Sequence, residues 1–336
     1  MNLELLKEKM LEQKFNEDYI DLCVNYASNL KKQELPIIFD INHFAKLLGK
    51  NSRDIFKIAS LKNCYYKKIN ILKKNGEIRE LNSPCDELKE IQNWILKEIL
   101  YKINTHPSSM GFTPELSILN NALPHTNKEC VINLDLSNFF PSIPSKRIYY
   151  FFKSLGYSTH ITSLLTNLCT YKNGLPQGAP TSPYLSNLIC LHLDKRLKGL
   201  SLKINANYTR YADDITFSGT KEITNFIPLI EKIISQENFK LNLNKKRVLF
   251  QYHQQMVTGL IVNNYPPSVP KKKLRYLEQQ IYFCKTRGVF NNLEYQGLDV
   301  SNYKEHLYGL VFFIKMVNPE KSMKYLSDLN EIDWES

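Results

Sequence analysis

An α+β fold is what this 336-residue sequence predicts, on three observations. β-Prone runs flank two turn signals, Asn75-Gly76 and Asp213-Asp214, the second between stretches rich in Tyr, Thr, Ile and Phe, as antiparallel hairpins require. Longer segments carry apolar residues at helical spacing. Strand-like and helix-like stretches are interspersed, with no internal repeat and no low-complexity tract. The length fits one large or two to three small domains. A 43% hydrophobic, 23% charged composition suffices for a substantial core. No stretch of about 18 apolar residues occurs, so no membrane span is predicted. The charged N-terminus, MNLELLKEKMLEQKF, lacks the apolar centre of a secretory signal.

In chain order, residues 1–60 are patterned as helices, for example DYIDLCVNYASNLKK and FDINHFAKLLGKN. Residues 64–82 alternate and turn at Asn75-Gly76, a strong hairpin signal. The helix DELKEIQNWILKEILYKI follows, with Leu88, Ile91, Trp94, Ile95 and Ile99 on one face. VINLDLSNFF (131–140) reads as a strand that breaks at Pro141. Residues 145–170 and 182–200 read as helices around the loop KNGLPQGAPTSP. A hairpin over 208–219 comes next, then a helix over about 222–236. KLNLNKKRVLF and MVTGLIVNN read as two more strands. From Pro266 onward, Pro, Lys and helical patterning mark a separate C-terminal element.

The net charge of +11 is clustered: Lys62, Lys67, Lys68, Lys73 and Lys74; Lys245, Lys246 and Arg247; Lys271, Lys272, Lys273 and Arg275. Three such clusters in a chain with 20 Tyr and 17 Phe favour a polyanion partner, because cations hold phosphates and rings stack bases. The seven cysteines include no C-x-x-C pair and no metal-site spacing. They read as small buried residues of a cytoplasmic protein.

The chemistry-bearing stretch is YTRYADDITFSG, where Asp213 and Asp214 stand side by side at the tip of a β-prone pair. Adjacent carboxylates repel each other and resist burial. Asp135, inside VINLDLSNFF, brings a third from a separate strand. A divalent cation relieves that repulsion, and magnesium suits the task because it takes few carboxylates and completes its shell with water and substrate phosphates.

These motifs resemble a known family. LDLSNFF, LPQGAPTSP and YADD, in this order, are similar to the palm motifs of reverse transcriptases. Upstream, KKNGEIRELNSPCDELKEIQNWIL resembles the fingers; downstream, LNLNKKRVLF and VTGLIV resemble the last palm strands. The resemblance covers roughly residues 62–265. It implies a right-hand polymerase fold: an N-terminal helical extension over 1–60, fingers over 61–130 with 145–190 interleaved, a palm over 131–265 and a helical thumb over 266–336. It implies catalysis by Asp135, Asp213 and Asp214, which with Leu136 would form a site for two Mg²⁺ ions. Lys74, Arg79, Phe140, Gln177, Gly178 and Tyr211 would contact the deoxynucleotide, with Phe140 as a gate against a ribose 2′-OH. After L-N-L-N the family often has Lys-Thr; here Arg247-Val248 stands there, with Lys246 one residue earlier.

Two further signatures resemble the retron branch of that family. One is N-A-x-x-H, spanning Asn121 to His125; the other is the triplet Val257-Thr258-Gly259. By this resemblance Asn121, His125, Val257, Thr258, Gly259, Lys271, Lys272, Lys273 and Arg275 would bind RNA. Retron membership implies a structured non-coding RNA as template and primer, a branched DNA product started from a guanosine 2′-OH, dNTPs as substrates, and an accessory effector protein in antiphage defence. A group II intron-like or abortive-infection reverse transcriptase, an RNA-dependent RNA polymerase and a non-catalytic RNA-binding regulator are the alternatives.

Overall fold

Side-chain caps set where the first helices begin. Asn16 Oδ1 accepts the Asp18 N–H at 2.8 Å at the head of helix Glu17–Lys32. Asp40 Oδ1 accepts the His43 N–H at 2.8 Å at the head of helix Ile41–Leu48, which Gly49 closes in the left-handed conformation. Ile20, Cys23, Ala27 and Leu30 recur at helical spacing and bury one stripe of the 17–32 helix. The computed structural model describes residues 2–72, 76, 78–297 and 302–335, and not the side chain of Arg79.

These residues fall into two compact units. The first comprises Met1–Thr113, Leu136–Arg196 and Lys232–Leu241. It holds the N-terminal helices, the hairpin of β1 (Tyr66–Leu72) and β2 (Ile78–Pro84), and helices Asp86–Glu98, Ser145–Ser154, Thr159–Cys169 and Ser182–Ile189. The Asn82 N–H donates to the Gln177 carbonyl at 2.7 Å, tying β2 to the Pro176–Pro180 loop. Gly178, at φ +124°, allows that approach, since a Cβ there would stand 3.0 Å from the Asn82 carbonyl oxygen.

The second unit comprises Pro114–Asp135, Leu197–Glu231 and Asn242–Ser336. Its four-stranded antiparallel sheet runs in the order β4 (Asn207–Tyr211), β5 (Asp214–Gly219), β3 (Cys130–Asp135), β6 (Arg247–Phe250). Asp135 pairs with Asp214 and Cys130 with Gly219; on the other side Cys130 pairs with Phe250 and Asn133 with Arg247. Side chains alternate between faces. One face therefore carries Asn133, Asp135, Asp214 and Thr216 at one end of the strands, and Val131 and Ser218 at the other. The opposite face is apolar, with Ile132, Ile215 and Phe217 without solvent exposure; full burial of each contributes about 1.5–3 kcal/mol. A short hairpin, β7 (Met256–Val257) and β8 (Leu260–Ile261), follows. Ala122, Val131, Val257 and Leu260 share one core with Leu277, Leu307, Val311 and Leu329 of the C-terminal helices Lys271–Arg287, Tyr303–Lys315 and Pro319–Asn330.

Some expectations change. The strand expected over 131–140 ends at Asp135. Asn138 takes φ +48° and Phe139–Ser142 forms a helical turn that includes Pro141. KLNLNKKRVLF is a strand only over Arg247–Phe250; Leu243–Lys245 is a 3₁₀ turn. MVTGLIVNN is a hairpin rather than one strand. Lys73, Lys74 and Asn75 lie outside the described residues, although the strands on either side pair as a hairpin. Among the described residues no helix is long and apolar enough to cross a membrane. The seven cysteines are free thiols, five of them buried.

Candidate active site

Antiparallel register brings the carboxylates together. β3 ends at Asp135, directly opposite Asp214 at the start of β5, and the Ala212-Asp213 loop joins β4 to β5. Ala212 sits at φ +58°, an uncommon conformation for a side-chain-bearing residue. A guanidinium supports it: Arg210, in β4, is wholly buried, and its Nη1 donates to the Ala212 carbonyl at 3.1 Å. Asp135, Asp213 and Asp214 all line one cavity of about 340 Å³, together with Lys245, Arg247, Thr258 and Gly259.

The electrostatics follow from that crowding. Asp214 retains solvent access, yet burial of the hairpin tip, followed by the charges of Asp213 and Asp135, pushes its pKa up to about 6. Lys245 opposes the shift. Its ammonium donates to Asp135 Oδ2 at 2.7 Å, and that hydrogen bond raises the lysine pKa. The Asn242 N–H donates to the Asp135 carbonyl at 2.8 Å, so the turn carrying Lys245 is anchored to the main chain of the residue it neutralises. Lys246 instead bonds Glu231 Oε1 at 2.8 Å. Of the 245–247 cluster read as polyanion-binding, two members are thus engaged with acidic side chains, and Arg247 lines the cavity. Among the described residues no group of three or more His, Cys, Asp or Glu side chains is arranged to hold a metal ion by itself. The donor set suits a hard cation that uses one or two carboxylates and completes its shell with water and phosphate oxygens.

The remaining expected residues distribute as follows. Tyr211, half-buried, pairs with Asp214. Leu136 bridges Leu241, and Leu136 is buried. In the first unit, Phe140 is half-buried against Phe139 and Phe112, with ring centroids 5.4 and 6.0 Å away. Gln177 is half-buried, its carbonyl held by Asn82. Lys74 and the Arg79 side chain lie outside the described residues. Lys271, Lys272 and Arg275 are exposed on the first turns of the 271–287 helix, and Lys273 Nζ stands 4.0 Å from the Phe313 ring centroid.

Three of the residues expected to contact RNA lie in the interior of the protein. His125 has no solvent exposure, and Asn121 and Val257 have 1% each. Thr258 and Gly259 are half-exposed and face the carboxylates. Arg210 was missed by the sequence reading, and Lys245 was read only as a member of a basic cluster, not as the partner of Asp135. Lys245 sits in a Lys-Lys pair with nothing local to say which lysine turns inward, and Arg210 lies in a strand that reads simply as β-prone.

A family model for reverse transcriptase (RNA-dependent DNA polymerase) matches residues 71–281. The retron Ec86 reverse transcriptase of Escherichia coli is 32% identical over 310 residues, covering 90% of this chain and 92% of that protein. The retron Mx162 reverse transcriptase of Myxococcus xanthus is 32% identical over 300 residues, covering 80% of this chain and 61% of that one. The retron Mx65 reverse transcriptase of the same organism is 32% identical over 278 residues, covering 77% and 62%. These likenesses, with the mix of helices and antiparallel sheet, place the chain in the polymerase fold: it belongs to the retron reverse transcriptases and is an RNA-directed DNA polymerase.

Proposed function

We propose that the enzyme copies part of a structured non-coding RNA into branched single-stranded DNA, starting from the 2′-OH of a guanosine in that RNA. Its substrates are dNTPs, it uses two Mg²⁺ ions, and it works in the cytoplasm with an accessory effector in antiphage defence. The observation that carries the reading is the convergence of Asp135, Asp213 and Asp214 on one cavity whose wall also bears Lys245 and Arg247.

Asp135 and Asp213 would hold the ions, with Asp214 and Leu136 assisting. When bound, the ions supply Lewis acidity for the attacking hydroxyl and the departing pyrophosphate. The chain's own part is positional. The buried Arg210 holds the strained tip, so the carboxylates meet the substrate without reorganising. Lys245 neutralises Asp135 in the metal-free chain and would release it when a cation is held there. Lys74, Arg79, Gln177 and Gly178 would position the triphosphate, Tyr211 the strand end, and the Phe140 ring would exclude a ribose 2′-OH. Lys271, Lys272, Lys273 and Arg275 would grip duplex phosphates, the principal handle on an A-form helix.

Primer extension on an annealed RNA template, with magnesium and dNTPs, tests the chemistry. Asp213→Asn and Asp214→Asn should each lower incorporation by about 10²-fold or more; synthesis persisting in both would sink the metal assignment. In the same assay Phe140→Ala should admit ribonucleotides, and unchanged discrimination would remove the gate. Sequencing the copurifying nucleic acid before and after a 2′,5′-debranching treatment tests the priming. The expected product is DNA joined to RNA through a linkage that the treatment cleaves, and unbranched DNA alone would exclude it.

A further inference from the structure

Asn121 and His125 belong to one short segment. Helix Ile118–Ala122 opens on a capping box, with the Leu119 N–H donating to Ser117 Oγ at 3.2 Å and the Ser117 N–H to Asn120 Oδ1 at 2.9 Å. It runs directly into the 3₁₀ turn Leu123–His125. From this segment the two side chains reach different strands.

Asn121 Nδ2 donates to Thr258 Oγ1 at 3.4 Å, and that hydroxyl donates to the Ile118 carbonyl at 3.3 Å. Thr258 and Gly259 are the two central residues of the β7–β8 turn, with φ +45° and +84°. Two-residue hairpins with both φ positive ordinarily take Asn-Gly or Asp-Gly, and a β-branched residue is strained there. A threonine at this place is explained by its hydroxyl, which the 118–122 helix holds on two sides.

His125 reaches the other hairpin. Its Nδ1 lies 2.7 Å from Ser218 Oγ of β5 and its Nε2 2.8 Å from Thr209 Oγ1 of β4. It therefore joins the two strands whose tip carries Asp213 and Asp214. Ser218 lies on the same sheet face as Asp214, two side-chain steps along the strand. Asn207 Nδ2 adds a bond to the Pro124 carbonyl at 2.5 Å. One segment thus grips both hairpins that wall the carboxylate cavity, through the buried side chains of Asn121 and His125.

We infer that Asn121 and His125 are positioning residues: they hold the Thr258-Gly259 turn in register with the Asp213-Asp214 tip, and so set where the end of the growing strand lies against the carboxylates. The N-A-x-x-H and V-T-G motifs are two halves of one internal brace, and RNA recognition lies elsewhere on the surface. This rests on the polymerase activity and not on the identity of the RNA.

The test compares wild type, Asn121→Ala, Thr258→Val and the double variant, with Asp213→Asn as the inactive control. Three quantities are measured: affinity for the end-labelled RNA that copurifies with the wild-type protein, the kcat and nucleotide KM for extending oligo(dT) on poly(rA), and the template position of the first added nucleotide. Asn121→Ala should leave RNA affinity within about twofold and nucleotide KM unchanged, lower kcat about tenfold and blur the start position; the double variant should match the single ones, because both break one coupled contact. Loss of RNA affinity with normal extension at saturating RNA overturns the inference, as do additive effects on kcat. Wild-type protein that fails to extend oligo(dT) at all would indict the activity rather than the brace. Thr258→Ser, which keeps the hydroxyl, should extend as wild type does; a defect equal to that of Thr258→Val would also count against the brace.

Discussion

With both ring nitrogens engaged and no contact with water, His125 stays neutral where an exposed histidine would charge. Burial, followed by the nearby Lys128 charge, pushes its pKa down to about 3. The unfolded chain takes up this proton near pH 6.5, the folded chain only near 3, so the neutral ring contributes its full stability above about pH 6.5 and loses it as pH falls toward 3. The slope is about 1.4 kcal/mol per pH unit within that window. Urea titrations at pH 7 and pH 5 should show wild type losing about 2 kcal/mol more than His125→Asn, even though the variant starts less stable. Parallel pH profiles for the two would show that the ring is not held neutral. The histidine itself was visible in the sequence as part of a motif. Its burial was not, because the Thr209 and Ser218 hydroxyls that satisfy it lie 84 and 93 residues away. Arg210 was hidden for the same reason: a fully buried guanidinium in a strand is credible only when its acceptors are known, and the Ala212 carbonyl becomes one only once the tip has turned.

Among the elements, hairpins flanked by long β-prone runs were legible and the short β7–β8 hairpin was not. Asn75-Gly76 announced β1 and β2, and the β-prone flanks of Tyr211–Asp214 announced β4 and β5. The β7–β8 turn escaped because threonine is a strand former on propensity, and only its hydrogen bonds to the 118–122 helix make it a turn residue. Likewise LNLNKK alternates as a strand would, yet Asn242 spends its N–H on Asp135 and the chain turns there to bring Lys245 back. The Gln177-Gly178 loop shows a glycine whose need is geometric. Replacing Gly178 with Ala places a methyl 3.0 Å from the Asn82 carbonyl oxygen at φ +124°. Gly178→Ala should cost about 1–3 kcal/mol in denaturant titration, through strain and through loosening of the Asn82–Gln177 bond. It should also raise the KM for dNTP. A variant as stable as wild type would mean that the loop and β2 can part at no cost.

For the molecule as a whole, clustered charge pointed to a polyanion, but composition could not show which cations remain available. Lys245 and Lys246 turn toward Asp135 and Glu231, whereas Lys271, Lys272 and Arg275 stay in solvent. The order of the central sheet was equally beyond local reading, since β3 pairs on both sides with strands far along the chain. That order has a consequence for biosynthesis. As the ribosome releases the chain, β3 emerges with Val131, Ile132 and Leu134 and no neighbour on either edge. Its first partner, β5, begins only about 80 residues later, which at ordinary translation speeds is a wait of roughly 4–16 s. β6 arrives later still. For that interval the strand destined for the middle of the sheet is an open, apolar ribbon, the kind of segment to which chaperones bind and through which nascent chains stick to one another.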